Sequence, residues 1–233
     1  MTLGIIAAMD LELRELQALM KRPKTEVVGG IAFIRGKIEG HTVVTAVSGV
    51  GKVFAAMCAQ TMILRYKPDA VVNVGVAGTL THRLGIMDVA VADRVCQYDL
   101  DTSALGDPAG LISGINKVYI PTDVKLTHAI RTSALRLMLP CVTGAIASGD
   151  TFVEVSEVKQ LIRNQFDAIA VEMEGASIGQ VCFVNDVPFA VIRTISDGEG
   201  AAVDYDAFAP AAAQNSISVL LEFLKGLGKE QIC

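Results

Sequence analysis

Six short apolar runs in this chain each end in glycine or polar residues, with helical stretches between most of them. The endings are Met9–Glu12, Ser48–Gly51, Gly75–Gly78, Ser148–Phe152, Glu172–Glu174 and Arg193–Asp197. A run such as Ala168–Val171 has no polar face, which suits a strand covered by helices on both sides of a sheet. Strands alternating with helices predict an α/β fold with a central mixed β-sheet flanked by helices. In such sheets ligands gather at the carboxyl ends of the strands, where these polar residues stand.

The expected strands are Leu3–Ala8, Ile31–Ile38, Thr42–Val47, Ala70–Val74, Ile86–Val95, Val142–Ala147, Ala168–Val171 and Pro188–Ile195. Glu39-Gly40 joins the second and third as a hairpin-like turn. A helix from Met9, with Leu13, Leu16 and Leu19 at helical spacing, is expected to break at Pro23 and Lys24. Further helices are expected over Lys52–Tyr66, Thr122–Leu139, Val155–Gln165 and Ala207–Leu227, with another opening at Ala176. Gln97–Val118 has no clear period and reads as a long functional or interface loop. No repeat, linker or composition shift divides the chain, so residues 1–233 are expected to form a single domain.

Composition narrows the function classes. Hydrophobic residues make up 52% and charged residues 19%, enough for a covered sheet and a buried oligomer interface. A net charge of −5 speaks against a nucleic-acid partner, which needs a basic face. No apolar run approaches the roughly 18 residues of a membrane span, and Met1–Asp10 lacks the basic start of a signal peptide. Five scattered cysteines without a C-x-x-C pair fit reduced thiols in a cytoplasm. Three dispersed histidines do not suggest a metal site. The expectation is a soluble, cytoplasmic protein.

Each strand ending is ambiguous alone. Ser48–Lys52 fails as a phosphate loop, because Ala46 and Val53 stand where glycine and Ser/Thr are needed. Glu12 could merely offset a helix dipole, and Asp197 before Gly198 could be a turn-former. Arg193 is the lone charge in an apolar strand and needs an acid, such as Glu174 or Glu12. Nothing in the spacing separates Glu172 from Glu174.

Together the endings carry a resemblance. Val171-Glu172-Met173-Glu174-Gly175-Ala176 with Arg193-x-x-Ser196-Asp197 resembles the nucleoside phosphorylase/nucleosidase superfamily. Gly4–Met9 with Glu12, Ser48–Lys52 and Ser148-Gly149-Asp150-x-Phe152 are similar to its 5′-methylthioadenosine/S-adenosylhomocysteine nucleosidases. The match runs in order from Leu3 to about Leu224.

The resemblance implies hydrolysis of the N-glycosidic bond of an adenine nucleoside, without cofactor or metal, by a homodimer. It implies that Asp197 protonates adenine N7, that Glu12 deprotonates the attacking water, and that Glu174 binds the ribose hydroxyls and favours positive charge in the ring. Met173 would contact the ribose, and Arg193 would orient Glu174 and the water. Phe152 would stack on adenine while the Val153 backbone reads its edge, and Ser196 belongs to the Asp197 motif. Val50 and Tyr205 match positions lining the 5′-alkylthio pocket. Leu105 matches a position that closes that pocket from the neighbouring subunit. Related phosphorylases carry an Arg and a Ser for phosphate where this chain has Asn73 and Val76, and an Arg near the first strand end, where Asp10 and Glu12 stand. Acids there would repel phosphate, so water is the expected nucleophile. Val76 departs from the Ser common in the nucleosidases, and Leu105 from an aromatic. The alternatives implied are a purine nucleoside phosphorylase, a nucleosidase for another purine nucleoside, or a silent binding module.

Overall fold

The computed structural model describes residues 1–198 and 205–227. Its strands are β1 (Thr2–Ala7), β2 (Lys21–Val28), β3 (Ile31–Ile38), β4 (His41–Val47), β5 (Ala70–Thr79), β6 (Val89–Gln97), β7 (Ile120–Pro121), β8 (Cys141–Ser148), β9 (Ala168–Glu172) and β10 (Phe189–Asp197). Its helices are α1 (Arg14–Ala18), α2 (Lys52–Tyr66), α3 (Val124–Arg136), α4 (Ser156–Phe166), α5 (Gly175–Val184) and α6 (Tyr205–Leu227). All ten strands belong to one mixed sheet flanked by helices, as the alternation predicts.

The pairing also closes part of that sheet into a ring. β5 pairs with β10, β10 with β6, β6 with β8, β8 with β9, and β9 returns to β5. From β5 the sheet extends through β1, β4 and β3 to an edge at β2. β1, β4, β5 and β10 are mutually parallel, as are β6, β8 and β9. The two sets are antiparallel where they meet, at β10–β6 and β5–β9. At the second junction Gly78 pairs with Val171, so the carboxyl ends of both sets converge on one place.

Strand alternation sorts the core into two faces. Ile6, Val71 and Val191 pack with Ala55, Cys58 and Met62 of α2 and Ala176, Ile178 and Cys182 of α5. Their neighbours Ile5, Val72 and Ile192 pack with Leu16 of α1, Ile130 of α3 and Leu220 and Phe223 of α6. A third cluster seats Ile162 and Phe166 of α4 against β8 and β9.

Three expectations need correction. The helix from Met9 to Pro23 is instead a 3-10 turn, Asp10–Glu12, followed by the five-residue α1. Pro23 breaks nothing, because it lies within β2. That strand is an edge, and its register slips between Lys21 and Lys24, so a missing N–H is tolerated. β5 does not stop at Val74 but continues through Gly75 and Gly78 to Thr79. Those two glycines make room for side chains that cross the strand. Asp123, expected in the first turn of α3, is its N-cap and accepts from the Leu126 N–H at 2.8 Å.

Candidate active site

The converging strand ends enclose a cavity of about 510 Å³, within the range of small-molecule sites. It is lined by Glu12, Val50, Val76, Phe152, Met173, Glu174, Ser196, Asp197 and Tyr205, all expected from the sequence. Met9, Ala77, Gly78 and Glu172, from the same strand endings, also line it without having been singled out, and Ala8 and Val171 lie just before those endings. Val153 lies in a small adjoining cavity with Phe152 and Asp197. Arg193 sits behind the wall, 1% exposed. Leu105, on the 3-10 turn Ser103–Leu105, is 83% exposed and does not reach this cavity within its own chain.

Glu12 is fixed by the backbone around it. Its Oε2 accepts from the Ala8 and Met9 N–H groups at 3.0 and 2.9 Å, and its Oε1 from the Val76 N–H at 3.1 Å. A Cβ on Gly75 would come within 2.5 Å of Glu12 Oε1, so only glycine leaves this carboxyl its seat. Burial pushes the Glu12 carboxyl above the usual range, against the lowering pull of Arg193 and the three backbone donors. Val76 thus serves through its backbone, while its side chain packs with Ala212 and Ala213 of α6.

Glu172 and Glu174 leave the end of β9 in different directions. Glu172 accepts from the N–H groups of Glu174 (3.0 Å) and Gly175 (2.8 Å to the nearer oxygen), from Ser148 Oγ, and from Arg193 Nη2. Arg193 Nη2 also donates to Asn73 Oδ1 at 2.5 Å, and Arg193 Nη1 to the Ile192 carbonyl at 2.9 Å. Of the acids expected to meet Arg193, Glu174 or Glu12, Glu174 approaches to 3.9 Å, and the main partner is instead Glu172. The exit from β9 points the Glu172 carboxyl back at strand β10, so Glu172 takes the ion pair. Glu174 keeps one backbone donor, Gly51 N–H at 2.8 Å, at the start of α2. Burial, then the charge of Glu172, raise the Glu174 carboxyl to about 7, with Arg193 opposing.

Asp197 ends β10. Its Oδ2 accepts from Lys159 Nζ of α4 at 2.6 Å, and its Oδ1 from Ser196 Oγ at 3.3 Å. A Cβ on Gly78 would lie 2.8 Å from Asp197 Oδ2. Lys159 was missed: in an amphipathic helix a lysine ordinarily reads as part of the solvated face. At the cavity mouth Phe152 meets Tyr205 edge-on, ring centroids 5.4 Å apart. Residues 199–204 lie outside the described residues.

Among the described residues the cavity wall holds four carboxylates and no Lys or Arg. The two nearby cations, Arg193 and Lys159, are already engaged by Glu172 and Asp197. Such a site suits a neutral or cationic reacting centre flanked by an acid and a base, and repels anions.

Comparison with known proteins agrees in family. The model of the phosphorylase superfamily matches residues 2–225. A 5′-methylthioadenosine/S-adenosylhomocysteine nucleosidase of Bacillus thuringiensis (strain Al Hakam) is 34% identical over 97% of this chain and 100% of its own. The structure of the nucleosidase of that name from Neisseria meningitidis, in complex with methylthio-immucillin-A, superposes with a TM-score of 0.92 at 34% identity, covering 97% of this chain and 99% of that one. The futalosine hydrolase of Helicobacter pylori strain 26695 superposes with a TM-score of 0.90 at 35% identity, covering 97% of each. The chain belongs to the phosphorylase superfamily.

Proposed function

We propose that this protein hydrolyses the N-glycosidic bond of 5′-methylthioadenosine and S-adenosylhomocysteine, releasing adenine and the 5′-substituted ribose. The observation that carries the choice of water over phosphate is the cavity wall, with four carboxylates and no Lys or Arg among the described residues. A phosphate dianion beside Glu12 would be repelled by several kcal/mol at low dielectric, roughly, whereas a water molecule and an oxocarbenium-like ribose are favoured.

In this reading Asp197 gives a proton to adenine N7 as the C1′–N9 bond breaks. Glu12 takes a proton from the water that bonds to C1′, and its raised affinity for protons suits a general base near neutral pH. Glu174 accepts hydrogen bonds from the ribose hydroxyls, and its charge favours the developing cation. Arg193 acts on Glu174 at 3.9 Å and through Glu172. Met173 contacts the ribose, Phe152 stacks on adenine, the Val153 backbone meets its edge, and Val50 and Tyr205 border the 5′-substituent.

The working form is a homodimer in which Leu105 completes the partner's pocket. Support comes from the exposure of Leu105 and from the apolar Val53, Phe54 and Met57 left open on α2. The chain reads as one domain acting in the cytoplasm, in methionine salvage and methyl-cycle recycling. No helix among the described residues is long and apolar enough to cross a membrane. A second reading, cleavage of another purine nucleoside, is motivated by the similarity to futalosine hydrolase.

The test is adenine release from methylthioadenosine, adenosylhomocysteine and 5′-deoxyadenosine, with inosine as the contrasting base. Turnover of the first two, lost in Glu12→Gln and Asp197→Asn with the fold kept, is expected. Turnover of inosine but not methylthioadenosine would favour the second reading.

A further inference from the structure

Lys159 is the only buried lysine among the described residues, 3% exposed. It lies on the face of α4 that also carries Ile162 and Phe166, three and seven residues on, where an apolar side chain would ordinarily sit. Lysines usually run their stems along the surface and keep the ammonium in water. Here Nζ donates to Asp197 Oδ2 at 2.6 Å and to the Gly198 carbonyl at 3.2 Å. One side chain therefore fixes both the carboxyl at the cavity wall and the backbone at which the chain leaves β10.

A buried ion pair contributes little net stability compared with well-packed apolar residues, so packing alone does not account for it. Its position beside a candidate acid does. We propose that Lys159 is a positioning residue for Asp197: it holds Oδ2 and so leaves Oδ1 turned to the leaving base. This rests on the reading of Asp197 as the acid.

The physical case is one of opposing demands. Asp197 shares its cavity with Glu12, Glu172 and Glu174, whose charges favour the protonated acid. Arg193 on β10 is committed to Glu172. Lys159 on α4 is the cation in contact with Asp197, and it favours the carboxylate. In the reaction the Oδ1–H bond breaks, N7–H forms, and the electron pair of C1′–N9 leaves with adenine. The carboxylate then returns to Lys159, and solvent supplies the next proton.

The experiment is the pH profile of kcat/KM for methylthioadenosine in the parent, Lys159→Met, Lys159→Gln, Lys159→Arg and Asp197→Asn proteins, with Tm measured for each. Loss of the cation raises the proton affinity of Asp197, so the alkaline limb should move up by about one pH unit or more in Lys159→Met and Lys159→Gln. Lys159→Arg should restore the limb to the parent position. Should Lys159→Met fail to fold, Lys159→Gln, which keeps a donor for Oδ2 without the charge, carries the test. An alkaline limb at the parent position in the charge-free variants, with Asp197→Asn inactive, would overturn the inference alone. Near-parent turnover in Asp197→Asn would instead remove the acid role itself, and the inference with it.

Discussion

Arg193 is gripped by Glu172 and stands 3.9 Å from Glu174. Two acids separated by one residue are thereby given different work. Glu172 ties β9 to β10 and receives the first N–H groups of α5. Glu174 faces the cavity with a single backbone donor at Oε1, so most of its hydrogen-bonding capacity is open to a ligand.

Glu172→Gln should therefore act on stability. It leaves a buried guanidinium without its main counter-charge, a loss of about 3 kcal/mol or more in denaturant unfolding. It should also lower the Glu174 carboxyl from about 7, since the like charge is gone and Arg193 is released toward it. An acid limb of kcat/KM that moves to lower pH would show this. An unmoved limb with full stability would refute the division of labour.

Glu174→Gln should trade activity for stability. The folded-state carboxyl binds its proton more tightly than the unfolded one, which has the ordinary value of 4.5. Stability is thus complete below about 4.5 and falls as pH rises through about 7. Replacing Glu174 by the neutral amide should raise the unfolding free energy at pH 8 by on the order of 1 to 3 kcal/mol. The gain should shrink toward pH 4.5, while adenine release is lost. Equal stability of both proteins at pH 8 would count against it.

Gly75 and Gly78 should behave as parts of the site. A methyl group at either would meet Glu12 Oε1 at 2.5 Å or Asp197 Oδ2 at 2.8 Å. A displacement of about 1 Å costs on the order of a hundredfold in rate, so Gly75→Ala and Gly78→Ala should each lose activity on that scale. The fall should appear in kcat more than in KM. Parent kcat in both variants would show that the carboxyls need no fixed seat.

Leu105 should matter only between subunits. In a dimer of 24.6 kDa chains, Leu105→Asp should raise KM for methylthioadenosine by about tenfold, from the loss of an apolar contact. Sedimentation of the parent as a monomer with full activity would exclude this completion.

Much of this is legible in the sequence, and the exceptions share a cause. Strands apolar on both faces, such as β9, declare themselves because a covered sheet requires them. β2 did not, since its residues from Lys21 to Val27 are polar or exposed and include a proline tolerated only at an edge. Gly75 and Gly78 read as terminators of β5, because sequence cannot tell a turn glycine from one that admits a carboxylate from another strand. The roles of Glu172 and Glu174 depend on which way a chain turns after β9, a tertiary matter. Lys159 was hidden because its partner lies 38 residues away on another element.

Water, not phosphate, is expected to receive the ribosyl group. The direct measurement is 31P NMR of the reaction on methylthioadenosine in phosphate buffer, with adenine release followed in parallel with and without phosphate. Equal adenine release in both buffers and no new phosphate resonance are expected. A 5-methylthioribose-1-phosphate signal growing in step with adenine, and little turnover without phosphate, would contradict it.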